Sequence, residues 1–263
     1  MRTNPVKDTL KRGGTATGTM VFEFFVPGLP RLLAHTGAEF AIYDMEHGGA
    51  SIETLRMLAA ASRGPSPLPF ARVPDTHYHL MAQALDAGML GLMIPMIESG
   101  EQARKVVDST RYPPVGRRGA GLGMAQDDYE RGSTTDKIEA LNARTFVIAQ
   151  IESPVGLDNL DAIACVEGID CLWVGHNDLS IQMGIPGEFQ SPRFQDAIQR
   201  VADVADRRGL AAGVMVGDVA GAEDWMSKGY RAVAFGADFR VYADALSAGI
   251  AGVRRLSVAR STR

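Results

Sequence analysis

Short apolar runs alternate with longer segments of helical period along the whole chain. The runs are TGTMVFEF, FAIYD, LPFARV, GLMIPM, TFVIAQI, CLWVG, LAAGVMV and RAVAFG. Several are near-continuously apolar, the pattern of parallel strands covered on both faces. Each is followed by Gly, Pro or Asp and then by a segment with helix ends. SPRFQDAIQRVADVADRRG predicts a helix with Ser191 as N-cap, Pro192 in the first position and Gly209 past the end. Its Phe194, Ile198, Val201 and Ala205 fall on one apolar stripe. SGEQARKVVDST offers Ser99 and Gln102 as a capping box, and Ser51, Asp75 and Asp218 are expected N-caps of three other helices.

Eight strands alternating with helices, with no break in composition, predict a single (β/α)8 TIM barrel spanning residues 1–263. An open doubly wound sheet is the alternative. No GxGxxG follows the first strand and no Walker loop occurs, which weakens it. The stretch Arg111–Ser133 breaks the rhythm, being long and rich in Gly and Pro. Loops of that kind are functional or interface-forming, and its position before strand five favours a neighbouring subunit.

Composition narrows the function classes. The net charge of −4 gives no basic footprint for nucleic acid. The basic end VRRLSVARSTR reads as a solvated tail. Cys165 and Cys171 lie in or beside apolar runs without CxxC spacing, so buried thiols in a reducing compartment are expected. The N-terminal MRTNPVKDTLKRGG lacks an apolar core, so no signal peptide is expected. No apolar run approaches the roughly 20 residues that span a bilayer, and a cytoplasmic protein is the expectation.

In a barrel, chemistry gathers at the C-terminal ends of the strands. The polar groups just past the runs are Asp44, Glu46 and His47 after strand two, and Arg72 after strand three. Strand five delivers Gln150 and Glu152, and strand six His176, Asn177 and Asp178. Glu152 and Asp178, from adjacent strands, can hold an oxygen-liking divalent ion while leaving positions open for substrate. Arg72 adds a fixed cation, and His47 can trade protons near neutral pH. Such a set suits an enolate. Taken singly, the residues have plainer readings: Glu152 or Asp178 as a helix cap, Asp44 as a cap or salt-bridge partner, His47 as a turn residue, Arg72 as a surface arginine. Their convergence on one face selects the site. The five lysines, Lys7, Lys11, Lys105, Lys137 and Lys228, all lie away from the apolar runs, so Schiff-base chemistry is not expected.

At these residues the sequence resembles the HpcH/HpaI class II pyruvate aldolases, of the phosphoenolpyruvate/pyruvate-domain barrel type. The blocks are YDMEHG, ARVP, LDAGMLGLMIPM, RYPPVGRRG, QIES and GHNDLS, in order, and the resemblance runs from about residue 15 to about 245. It implies reversible cleavage of a 4-hydroxy-2-oxo acid to pyruvate and an aldehyde through a metal-stabilised enolate. Glu152 and Asp178 would bind Mg2+ or Mn2+, with Co2+ or Zn2+ as possibilities. Backbone amides from Gly175 to Asp178, including His176 and Asn177, would receive the pyruvate carboxylate, with Gln150 lining the pocket and Met215 against the methyl. Arg72 would hold the keto oxygen, His47 would move the proton, and Asp44 and Glu46 would order water nearby. Asp86 would reach His47 from an adjacent subunit of a homo-oligomer, trimer or hexamer, in which the last helix, near 238–254, is exchanged. Relatives commonly carry proline where His176 stands, so His176 is expected to reshape the pocket. A decarboxylase or acyl-CoA lyase on the same scaffold is the alternative activity, and a non-catalytic metal-binding barrel is the alternative from another class.

Overall fold

A computed structural model describes residues 1–64 and 67–261, with side chains as far as Leu256 in the last helix. Eight parallel strands close into a barrel in sequence order: β1 (Ala16–Val21), β2 (Phe40–Asp44), β3 (Leu68–Arg72), β4 (Gly91–Ile94), β5 (Phe146–Ile151), β6 (Cys171–Val174), β7 (Ala211–Val216) and β8 (Tyr230–Ala237). Helices lie between them, as the alternation predicts. The open-sheet alternative is excluded, since β8 pairs with β1. The first apolar run is longer than its strand: β1 stops at Val21 and FEF turns over the barrel mouth.

Side chains alternate along each strand, so one parity faces the barrel axis and the other faces the helices. The inward set packs as its own core: Met20, Phe40, Ile42, Phe70, Met93, Phe146, Ile148, Cys171 and Trp173 among them. The outward set, including Tyr43, Ala71, Leu92, Val147, Leu172 and Val214, merges with the helices. Phe40 of β2 stacks on Phe70 of neighbouring β3, and Phe70 stacks on Phe146 of β5 over the intervening β4, with centroids 5.6 Å apart in each pair. Small residues make room for the rings. A Cβ on Gly91 would lie 2.7 Å from the Phe70 ring.

Helix ends mostly follow the expected caps. Ser51, Ser99, Ser191 and Asp218 each accept a backbone N–H in the first turn of their helices. The Gln102 side chain returns to the N–H of Glu98, one residue before the cap. Asp75 does not cap the helix Tyr78–Asp86. That helix begins after His77 without a side-chain cap, and Asp75 instead engages Thr76 and the His77 ring just outside it. Cys171 is buried inside the barrel, but Cys165 is exposed, because it ends the short helix Leu160–Ala164 on the outer surface. The long stretch runs beside helix Tyr78–Asp86: Arg118 pairs with Asp86 at 2.5 Å, and the N–H of Gly119 donates to the Tyr78 hydroxyl.

The last helix, Asp238–Ser261, takes in the stretch expected as a solvated tail. The tail's side chains beyond Leu256 and residues 262–263 lie outside the described residues. No helix among the described residues is long and apolar enough to cross a membrane.

Filling the space that the stacked rings occupy tests the inward parity. Gly91→Ala should lower the unfolding free energy by roughly 1–3 kcal/mol through overpacking. Urea denaturation reads this directly, and an unchanged midpoint would contradict the placement of Gly91 against Phe70.

Candidate active site

The inward parity continues past the strands' hydrophobic stretches and turns polar at one end. Phe40 and Ile42 are followed by Asp44, Phe70 by Arg72, and Ile148 by Gln150 and then Glu152. Asp44 and Arg72 are register partners in β2 and β3, so their side chains meet on the inner face. Arg72 Nε donates to Asp44 Oδ1 at 2.5 Å. Asp44 is fully buried and also accepts the N–H groups of Glu46, His47 and Gly48 at 3.2, 2.9 and 2.8 Å. Burial alone would raise its pKa. The hydrogen bond and charge of Arg72, with these backbone donors, outweigh burial and hold the carboxyl below its usual range. Burial pulls the Arg72 pKa down, but Asp44 and the nearby carboxylates reverse that and raise it. Asp44 is thus fully engaged by protein groups, in contrast to the expected water-ordering role.

Glu152 sits just past β5 and is 3% exposed. Its Oε1 accepts the Met96 N–H at 2.7 Å, and its Oε2 accepts from the Gln150 side chain. Met96 adopts a φ of +52°, a left-handed conformation uncommon for a side chain of its kind. Burial raises the Glu152 pKa, and the charge of Asp178 raises it further, against Gln150, Met96 and Arg72. Gly175 makes the approach possible, since a Cβ there would fall 2.2 Å from Glu152 Oε2. Asp178 stands exposed in the first turn of helix His176–Gln182, whose N-cap is Gly175. It does not cap that helix, which removes the plainer reading for this residue.

Glu46 links the two basic groups. Its Oε2 is 3.1 Å from Arg72 Nη1 and 3.9 Å from His47 Nε2. The His47 side chain is 61% exposed and faces a cavity of about 620 Å3. Arg72, Gln150, Gly175, Asp178 and Met215 line the same cavity. His176 and Asn177 line it as well. The His176 ring is set edge-on to Phe189, with centroids 5.4 Å apart. Asp86 is not brought to this site within one chain. It ends the helix that leads down to the start of β4, and its partner is Arg118.

No group of three or more His, Cys, Asp or Glu side chains forms a metal cluster among the described residues. The two-carboxylate set Glu152 and Asp178 still fits a divalent ion. The carboxylates repel each other electrostatically, and the buried Gln150 Oε1 has no hydrogen-bond partner. A cation between carboxylates removes the repulsion, and two protein ligands leave the remaining positions to water and substrate. No lysine is among the described residues that line the cavity.

Sequence reasoning did not find Met96, because its contribution is a backbone N–H after a run that ends apolar. It also passed over Arg240, which lines the cavity from the last helix.

The family model described as HpcH/HpaI aldolase/citrate lyase matches residues 24–245. The hydroxypyruvate/pyruvate aldolase of Paraburkholderia phytofirmans is 35% identical, over 90% of this chain and 92% of the relative. The 2-keto-3-deoxy-L-rhamnonate aldolase of Salmonella gallinarum is 34% identical, over 94% of this chain and 92% of its own. Among solved structures, the HpcH/HpaI aldolase from Desulfitobacterium hafniense superposes with a TM-score of 0.91 at 26% identity, covering 96% of this chain and 97% of that one.

The buried pair makes stability depend on acid. Asp44 has its pKa depressed on folding, so its contribution is complete above about pH 4, the unfolded value, and is lost as pH falls through the lower folded value. Asp44→Asn should therefore show a flatter loss of stability below about pH 4 than the parent. Denaturant titrations across that range check it, and parallel acid limbs would refute the ion pair.

Proposed function

This chain belongs to the HpcH/HpaI aldolase/citrate lyase family, and from that premise we propose that it reversibly cleaves a 4-hydroxy-2-oxo acid to pyruvate and an aldehyde. One observation carries this reading. A desolvated Arg72, locked by Asp44, faces the same cavity as Asp178 and lies within electrostatic reach of Glu152.

In the cleavage direction, His47 takes the proton of the C4 hydroxyl. The C3–C4 bond breaks, its electron pair passes to the 2-oxo oxygen as an enolate, and the aldehyde departs. Arg72 holds the oxyanion as its charge develops, and Asp44 keeps the guanidinium from swinging away. His47 then returns a proton to C3 to give pyruvate. Glu46, between Arg72 and His47, keeps both basic groups in place. A divalent ion at Glu152 and Asp178, Mg2+ or Mn2+ with Co2+ or Zn2+ as alternatives, would supply Lewis-acid polarisation of the keto acid. Helix His176–Gln182 has no side-chain cap, so its first N–H groups are free to receive the pyruvate carboxylate. Gln150 lies beside that position, and Met215 offers an apolar contact for the methyl.

We also place the protein in a homo-oligomer, trimer or hexamer. The last helix leaves Val241, Tyr242, Leu246, Ile250, Val253 and Leu256 exposed, a face that a neighbouring subunit would cover. An exchange of this helix between subunits and a contact of Asp86 with a neighbour's His47 belong to the same proposal.

The reading is tested by following deuterium incorporation at C3 of pyruvate. Chelator-stripped protein should lose the exchange and regain it with Mg2+ or Mn2+. Glu152→Gln and Asp178→Asn should abolish the metal response. Arg72→Met should lower kcat by roughly 100- to 1,000-fold. Borohydride with pyruvate should trap no covalent adduct. Metal-independent exchange, or a trapped imine, would overturn the proposal.

A further inference from the structure

One strand end in the polar layer carries a ring where its neighbours carry charge. The register of β1 with β2 pairs Val21 with Tyr43, so the next residue, Phe22, is level with Asp44. Asp44 is in turn the partner of Arg72 in β3. Alternation from the inward Met20 carries Phe22 to the same inner face. Its ring lies over the Arg72 guanidinium, whose carbon is 5.5 Å from the ring centroid. That is within the roughly 6 Å at which an aromatic face attracts a cation.

The ring is itself held. The Asp238 carboxylate accepts the N–H groups of Phe22, Glu23 and Phe24 at 2.9, 3.0 and 2.7 Å, which ties the turn after β1 to the start of the last helix. The Phe239 ring meets the Phe22 ring edge-on at 6.0 Å. The Phe22 carbonyl abuts Gly48, where a Cβ would come within 2.8 Å of its oxygen. The loop that carries His47 therefore packs directly on the Phe22 backbone. Arg72 is left with one free corner. Its Nε donates to Asp44 and its Nη1 faces Glu46, whereas Nη2 donates to no described residue. Two acids hold the guanidinium in its plane, and the Phe22 ring covers a face.

We propose that Phe22 is a positioning residue for Arg72: the ring fixes the guanidinium so that Nη2 is kept for the oxygen that gains charge in the reaction. The inference rests on the aldolase reading and adds a group that orients its cation. A guanidinium held from tilting stabilises an oxyanion without reorganising as the charge develops. The acids fix it within its plane, and the ring fixes it against rotation out of that plane. The ring does so through its negative face. An aliphatic side chain of similar size would exclude water there but would not attract the cation.

The test measures deuterium exchange at C3 of pyruvate in Mg2+-supplemented enzyme, with changes at Phe22 alone. Phe22→Leu should lower the maximal exchange rate by about 3- to 10-fold. The KM for pyruvate should change little, because the interaction is used as charge develops. Phe22→Tyr keeps an aromatic face and should retain most of the rate. A trifluorinated phenylalanine in place of Phe22 keeps the shape and removes most of the attraction for a cation. Its rate should fall with that of Phe22→Leu. A trifluorinated ring that works at the parental rate overturns the inference, since the ring would then act by shape alone. Phe22→Leu at the parental rate, or with a change in KM alone, overturns it as well. Those outcomes leave the aldolase reading standing, whereas a parent without exchange overturns that reading and this inference with it.

Discussion

The site depends on one buried ion pair. Two charges taken out of water are costly to hold unless the geometry is good and the remaining polar atoms are satisfied. Asp44 and Arg72 meet both conditions, because strand register sets them side by side and three backbone N–H groups complete the carboxylate. Those three donors belong to the loop that carries Glu46 and His47. The same carboxylate therefore orients the Arg72 guanidinium and the loop that carries His47. A cation fixed in this way needs no reorganisation when negative charge appears before it, which is the condition for electrostatic stabilisation of an enolate.

The second carboxylate is held by a different device. Among the described residues, Glu152 has no basic partner in direct contact. It is positioned by the Gln150 amide and by the N–H of Met96, whose left-handed backbone turns that donor inward. Strain of this kind persists only where the surroundings enforce it, and it gathers at functional sites. Gly175 leaves open the space that any larger residue would take from the carboxylate. Burial and the charge of Asp178 both raise the pKa of this carboxylate.

Much of this was legible in the chain. The continuity of the apolar runs marked eight parallel strands. Polar residues just past those runs marked the end of the barrel where the cavity opens, since alternation carries the inward parity from Ile42 to Asp44 and from Phe70 to Arg72. Side-chain chemistry at the strand ends is visible in a sequence. Backbone donors are not, so Met96 lay hidden behind an apolar letter. The misplaced cap at Asp75 has a local cause: the chain takes three more residues to enter the helix, and Asp and His engage each other on the way. Cys165 was misjudged because an apolar neighbourhood in sequence says little about which side of a short helix end faces water. Arg240 was missed because no motif marks it, and only the closed barrel brings the last helix back over the first strand.

The attachment of Asp238 to the turn after β1 divides the cavity by origin. Asp44, Arg72, Gln150 and Glu152 sit at strand ends braced from within the barrel. Part of the outer wall sits on the last helix, which continues directly from β8 and is tied to the turn after β1 by the Asp238 carboxylate and the Phe22–Phe239 ring contact. A substitution on that helix alters the outer wall without touching the Asp44–Arg72 pair. The two ends of the cavity are thus built on separate parts of the chain.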